Sequence, residues 1–383
     1  MHWRSKLIHP SRHAPEGFRS LVPAVERGST VVFESQGAMR DDWDQARGYT
    51  YGLFGTPTVQ ELGARIAEIE GAAHTFILPS GQAAIVATLL AFCRAGSHVL
   101  LPESVYYPTR EIGLGLLAGL GIDVQAYDPM VGGGIDTLLR DTTALVWTES
   151  PGSLTMEVQD IPAIVQAAHA RGIPVALDNT WAAGVLFDAF AHGVDVSIQA
   201  LSKYVGGHSD LLLGSVSVRD AELRTRVGRA YKLLGMGVSP DEASLCLRGL
   251  KTLGVRLARM EASALEVARW LKAQPQVEAV LHPALPDCPG HAIWKRDFSG
   301  SASLFSIILH AGCSHRDAQA FADRLELFQA GYSWGGVHSL VTTYEGLRRH
   351  PAGDRLVRLN IGLEEPADLI DDLGRSLAQL PRP

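Results

Sequence analysis

Between residues 75 and 217 the chain repeats one pattern: a short unbroken apolar run, a turn, then apolar residues at helical spacing. The runs are H-T-F-I-L-P, H-V-L-L-P, D-V-Q-A-Y, A-L-V-W-T-E, I-P-V-A-L-D, V-S-I-Q-A and G-S-V-S-V. Runs of this length with little polar alternation predict strands buried on both faces. The segments between them suit helices. V-Q-E-L-G-A-R-I-A-E-I-E puts Val59, Leu62, Ile66 and Ile69 on one face, with Thr58 as N-cap. S-G-Q-A-A-I-V-A-T-L-L-A-F-C, Y-P-T-R-E-I-G-L-G-L-L and I-P-A-I-V-Q-A-A-H-A follow suit. Strands alternating with helices predict an α/β fold around a mostly parallel sheet of about six or seven strands.

A continuous helical pattern runs from Asp241 to Leu271. Beyond it, S-L-F-S-I-I-L-H and L-V-R-L-N-I-G read as strands, and two amphipathic stretches read as helices. The expected organisation is an irregular arm over 1–53, a large domain over 54–249 and a smaller α/β domain over 250–383. The arm is too poor in apolar residues to make a core, so it is expected to pack on a neighbouring subunit.

Composition narrows the class. The chain has 383 residues, enough for two domains, and a net charge of -7 with dispersed basic residues. That argues against a nucleic-acid partner. Cys93, Cys246, Cys288 and Cys313 are far apart and read as reduced thiols of a cytoplasmic protein. No His/Cys spacing suggests a metal, and the longest apolar stretch is too short to span a bilayer.

Ligands of open parallel sheets bind beyond the carboxyl ends of the strands. Four candidates fall there. Ser80-Gly81-Gln82 turns a strand into a helix, as an anion cradle or as an ordinary capped turn. Asp178 ends an apolar strand, either holding a cationic partner or capping the next turn. Lys203 follows V-S-I-Q-A-L-S and precedes Gly206-Gly207. A buried lysine has a depressed pKa and a free amine able to hold an aldehyde as a Schiff base; the other role is a stem snorkelling to the surface. With one strand between Asp178 and Lys203, both face one small ring if their strands are neighbours, and Ser202 reaches a phosphate. Arg358, inside a short apolar strand, suits a substrate carboxylate or an ion pair with Glu364 or Glu365.

Together these residues resemble the Cys/Met-metabolism family of enzymes dependent on pyridoxal 5′-phosphate (PLP), of aspartate-aminotransferase-like fold. The resemblance runs from about residue 45 to the C-terminus. It rests on E-S-P-G-S-L-T-M-E-V (149–158), D-N-T-W-A-A-G-V-L-F (178–187), S-I-Q-A-L-S-K-Y-V-G-G-H-S-D, H-P-A-L-P, W-K-R-D-F-S-G (294–300) and Y-S-W-G-G (332–336). It implies PLP fold type I, with a seven-stranded large domain, a small C-terminal domain and an N-terminal arm. The first and last motifs resemble the bacterial cystathionine β-lyase branch more than γ-lyases or γ-synthases.

The resemblance also implies roles. Lys203 is the Schiff-base lysine that moves protons; Asp178 pairs with the pyridine nitrogen; Tyr106 stacks on the ring. Gly81, Gln82 and Ser202 contact the phosphate, and Ser333, Trp334 and Arg358 take the substrate carboxylate. Tyr51 comes from the neighbouring subunit of a homotetramer, so the implied catalytic set is Lys203, Tyr106 and Tyr51. The implied reaction is β-elimination of L-cystathionine, a thioether amino acid, to homocysteine, pyruvate and ammonia. Cysteine desulfhydrase, γ-lyase and a PLP-binding regulator are the alternatives. Two positions depart from the family pattern. Leu53 stands where an arginine meets the phosphate across the dimer, leaving Arg40 or Arg47 as substitutes, and His338 replaces a glutamate.

Overall fold

The computed structural model describes residues 2–8, 20–40, 48–345, 347 and 353–381. Arg47 lies outside them. The strands of the large sheet are β1 (His74–Leu78), β2 (His98–Pro102), β3 (Asp123–Tyr127), β4 (Thr143–Glu149), β5 (Val175–Asp178), β6 (Val196–Ala200) and β7 (Gly214–Val218). Their order is β1-β7-β6-β5-β4-β2-β3, with β7 alone antiparallel to its neighbours. This is the mostly parallel seven-stranded sheet that the apolar runs predict. A second sheet contains β8 (Val277–Leu281), β9 (Leu304–Leu309), β10 (Gln329–Ala330), β11 (Leu340–Tyr344) and β12 (Leu356–Asn360), in the order β10-β11-β12-β9-β8. Of these, β8, β10 and β11 are additions to the sequence reading: V-E-A-V-L and L-V-T-T-Y carry polar residues that blur a strand signal, and β10 is only two residues long.

The helices in chain order are α1 (Trp3–Ile8), α2 (Pro57–Glu70), α3 (Gly81–Phe92), α4 (Tyr107–Glu111), α5 (Ile161–His169) and α6 (Ala221–Leu234). They continue with α7 (Pro240–Leu250), α8 (Leu253–Lys272), α9 (His291–Asp297), α10 (His315–Asp323) and α11 (Pro366–Leu377).

Three boundaries differ from the sequence reading. First, α2 is capped at Thr56, with Pro57 opening its first turn. The Thr58 hydroxyl instead donates to Ala24 O (3.0 Å) and accepts from Glu26 N (2.8 Å), tying the arm to α2. Second, α4 continues as a π-helical stretch over Ile112–Leu117, where two glycines sit in the sequence I-G-L-G-L-L. Third, the pattern from Asp241 to Leu271 is two helices. The chain turns at Lys251–Thr252, and both halves keep an apolar face, so periodicity alone does not register the break.

The arm is less irregular than expected at its start. Leu7 of α1 is buried, and Arg65 of α2 donates to Lys6 O (2.8 Å). Residues 20–40 are largely exposed. Apolar residues of α2, α5, α7 and α8 pack into one core on the large sheet, whose second face is covered by α3 and α6. The second sheet packs against α8, α10 and α11 over a further core.

Candidate active site

The carboxyl ends of β4, β5 and β6 and the N-terminus of α3 converge on a cavity of about 210 Å³. Gly81, Gln82, Tyr106, Asp178, Ser202, Lys203 and Trp334 all line it. The sequence places these residues up to 253 positions apart, Gly81 to Trp334; the parallel topology brings them together.

Helix α3 supplies the anion side. The Ser80 side chain caps it by accepting from Ala83 N (3.0 Å), which leaves the Gly81 and Gln82 N–H groups at a helix end with no intrahelical acceptor. A Cβ at Gly81 would come within 2.6 Å of the Ala200 Cβ, so only glycine lets α3 approach the end of β6 this closely.

Two carboxylates face the opposite side. Glu149 and Asp178 end β4 and β5 and stand in register. Asp178 accepts from Thr180 N (3.1 Å) and Thr180 Oγ1 (2.5 Å), and the same hydroxyl accepts from Ala200 N (2.9 Å). One threonine thus ties the aspartate to the strand that leads to Lys203. Burial raises the Asp178 pKa; the Thr180 bonds and Lys203 oppose that rise. Glu149 is pushed well above the usual carboxylate range, first by burial and then by Asp178. It accepts from Tyr106 N (2.8 Å), which places the tyrosine over the cavity. Burial and the nearby Asp178 raise the Tyr106 phenol.

Lys203 completes the set. Its Nζ donates to Ser333 Oγ (2.8 Å) and lies 5.5 Å from the Trp334 ring centroid. Burial, with Arg358 nearby, lowers its pKa to about 8, against a smaller opposing pull from Asp178. The snorkelling reading fails, because the amine ends inside the cavity. Arg358 is 4% exposed on β12 and donates to Tyr332 O (2.6 Å), with Tyr344 beneath its guanidinium at 5.2 Å. The alternative ion pair does not form. Glu364 accepts from Ser339 N and Oγ (2.8 Å each), and Glu365 pairs with Arg259 (2.9 Å). Among the described residues no carboxylate lies within ion-pair distance of Arg358.

Tyr51 and Leu53 are outside this cavity. Tyr51 is half exposed beside Phe54, and Leu53 packs against Gly237 while its carbonyl accepts from the Tyr231 hydroxyl (3.0 Å). Arg40 does not line the cavity either, and the His338 carbonyl accepts from Asn360 Nδ2 (3.0 Å). Glu149 and Thr180 were not singled out by the sequence reading. Glu149 carries the same signal as Asp178, a carboxylate closing an apolar strand. Thr180 carries none.

A family model for Cys/Met metabolism PLP-dependent enzymes matches residues 4–378. The chain belongs to that family. Its cofactor is pyridoxal 5′-phosphate, and the fold is that of the fold type I PLP enzymes. A cystathionine β-lyase of Bordetella avium is 42% identical over 93% of this chain and 91% of its own length. The cystathionine β-lyase of Escherichia coli K12 is 39% identical over 98% of both chains. The crystal structure of an apo methionine γ-lyase from Micromonospora echinospora is also similar, at 35% identity and a TM-score of 0.89, covering 98% of this chain and 99% of that one. This places the chain among the PLP-dependent carbon–sulfur lyases.

The residues present fit the cofactor. A phosphorylated pyridine aldehyde needs an anion cradle, an acceptor for a protonated ring nitrogen and an unprotonated amine. The α3 N-terminus, Asp178 and Lys203 offer these around one cavity. Among the described residues, no cluster of three or more His, Cys, Asp or Glu is placed to hold a metal ion. None of the described helices is long and apolar enough to cross a membrane. The four cysteines are free and buried.

Proposed function

We propose that this chain is a carbon–sulfur β-lyase that converts L-cystathionine and water to homocysteine, pyruvate and ammonia. The observation that carries the reading is Lys203, its amine held at Ser333 beside Trp334 in the cavity that Asp178 also lines, with its pKa lowered to about 8. The segments E-S-P-G-S-L-T-M-E and Y-S-W-G-G support the β-lyase branch.

Bound PLP supplies an aldehyde for amine exchange and a protonatable ring that takes up an electron pair. The chain's residues do the rest. The N–H groups of Gly81 and Gln82 and the Ser202 hydroxyl hold the phosphate. Asp178 holds the proton on the ring nitrogen, and Tyr106 covers the ring. Arg358 binds the substrate carboxylate through its remaining donors, beside Ser333 and Trp334. The Lys203 amine accepts the proton from the substrate α-carbon and delivers a proton to the departing sulfur. Trp181, anchored through its indole N–H to Leu304 O (3.1 Å), and Trp334 keep water out.

On this reading the arm over 1–53 lends Tyr51 to a neighbouring subunit, within a cytoplasmic homotetramer built from 54–249 and 250–383 domains. Leu53 takes a phosphate-binding charge away from that arm, which weakens cofactor retention.

The test is to incubate the PLP-loaded protein with L-cystathionine and quantify both keto acids. Pyruvate with homocysteine is the expected result. A second reading, γ-elimination, draws on the likeness to the methionine γ-lyase, and its product is 2-oxobutyrate with cysteine. If neither keto acid forms from any thioether amino acid while PLP stays bound, the chain is a cofactor-binding regulator.

A further inference from the structure

Lys203 sits in a tight turn closed by its own backbone. Lys203 N donates to Ala200 O (3.1 Å), Gly206 N to Leu201 O (2.7 Å) and Gly207 N to Lys203 O (2.8 Å). The Tyr204 and Val205 carbonyls point away from this turn into buried surroundings, where an unmet acceptor is costly. Arg256, on the first turn of α8, meets them. It donates to Tyr204 O (2.7 Å), Val205 O (3.3 Å), Gly249 O (2.9 Å) and Thr252 Oγ1 (3.0 Å). The side chain is 4% exposed, and among the described residues no carboxylate lies within ion-pair distance of it.

Two glycines make room for this arrangement. A Cβ at Gly207, whose φ is +73°, would overlap the Arg256 guanidinium. A Cβ at Gly249 would overlap the Gly206 carbonyl. Burial lowers the guanidinium pKa to about 10, so it stays charged at neutral pH and its planar donors face carbonyl dipoles. The same helix reaches the second sheet. Glu261 of α8 accepts from Ser301 N (2.7 Å) and Ser301 Oγ (3.1 Å), just before β9, the neighbour of β12.

We infer that Arg256 is a positioning residue: it clamps the turn that carries Lys203 and holds that turn in register with the sheet that carries Arg358. The side chain of a lysine has a flexible four-carbon stem, so the Ser333 contact can place the amine after each displacement only while the backbone anchor keeps its place. The inference rests on the proposed role of Lys203.

The test uses the full-length protein with Arg256→Ala, read per PLP-loaded site. The expected result is a folded protein whose kcat falls about 100-fold while KM changes less than about threefold. Its visible circular dichroism in the cofactor band changes, and guanidinium chloride restores at least about tenfold of the rate where methylammonium does not. In the cofactor-free variant, backbone hydrogen exchange at Gly206 and Gly207 accelerates about tenfold or more. An Arg256→Ala protein with unchanged kcat, dichroism and exchange overturns the inference. Should that variant not fold, Arg256→Lys decides: it keeps the charge and loses the fork, so kcat falls about tenfold at constant KM, and an unchanged kcat refutes the clamp. If the wild type shows no visible band that Lys203→Ala abolishes, the proposed function fails instead, and the exchange measurement still reads the clamp by itself.

Discussion

Among the described residues two guanidinium groups, Arg256 and Arg358, are buried with no carboxylate at ion-pair distance, and they are used in opposite ways. Arg256 spends its donors on backbone carbonyls and a threonine hydroxyl. Among the described residues Arg358 makes one hydrogen bond, to Tyr332 O, and it rests on the Tyr344 ring. Both lie 4% exposed, so burial does not separate them. Donor satisfaction does. A buried cation with four of its five donors met holds backbone in place, whereas one with most donors idle is poised for an anion that arrives from outside. The first region is finished within the chain; on the proposed function, substrate finishes the second.

The largest effect sets the floor for that comparison. Lys203→Ala abolishes the visible cofactor band and lowers keto-acid release by roughly 10²- to 10⁴-fold, as loss of a proton-transferring group does. A band that survives breaks the assignment of the amine.

Arg358→Met comes next. Losing the partner of a buried carboxylate costs about 2–5 kcal/mol, roughly 30- to 5,000-fold in kcat/KM. Thermal stability holds or improves, because the variant removes an unpaired buried charge. If Arg358→Met destabilises the fold as much as Arg256→Met does, the distinction between the two arginines collapses.

Asp178→Asn sharpens the picture on the large-sheet side. On the proposed function, removing the charge that would face the ring nitrogen lowers kcat on the order of 100-fold. Substrate capture at Arg358 is spared, so KM stays near the wild-type value in steady-state assays.

pH tests the environment shared by Lys203 and Arg358. Only the free amine attacks an aldehyde, and burial with Arg358 nearby lowers the Lys203 pKa from 10.5 to about 8. The rate at which cofactor-free protein takes up PLP therefore rises about tenfold per pH unit up to about 8 and levels above it. Stopped-flow absorbance follows this directly, and a plateau only near 10.5 contradicts the buried geometry. The stability sign agrees. A depressed lysine is protonated more readily in the unfolded chain, so the cofactor-free protein gains stability as pH rises from about 8 to 10.5.

The smallest effect concerns α3. Ser80→Ala removes the cap on Ala83 N and costs about 1 kcal/mol in denaturant unfolding. A neutral substitution there means that α3 is held by packing alone.

Much of the large sheet is legible in the chain because doubly buried parallel strands leave unbroken apolar runs. The second sheet is less so: the polar positions of β8 and β11 read as loop until a partner strand covers them. The break at Lys251–Thr252 is also invisible, since helical periodicity passes through it. At the site, the cavity-lining roles of Asp178, Lys203, Gly81, Gln82 and Ser202 follow from apolar strands that end in polar residues. Arg358 gave two readings, and only the positions of Glu364 and Glu365 choose between them. Arg256 gave no signal. In G-V-R-L-A-R-M it looks like any arginine on a helix.

The sequence alone determined the layered α/β plan, the polar residues that close apolar strands, and the motifs that carry the family. All three are written in near neighbours along the chain, where period and chemistry are local. The tertiary structure decided which carboxylates share a cavity, which buried guanidinium has most of its donors met, and why Gly207 follows Lys203. Those depend on distances between segments far apart along the chain, and hydrogen-bond satisfaction is a property of such distances rather than of residue type.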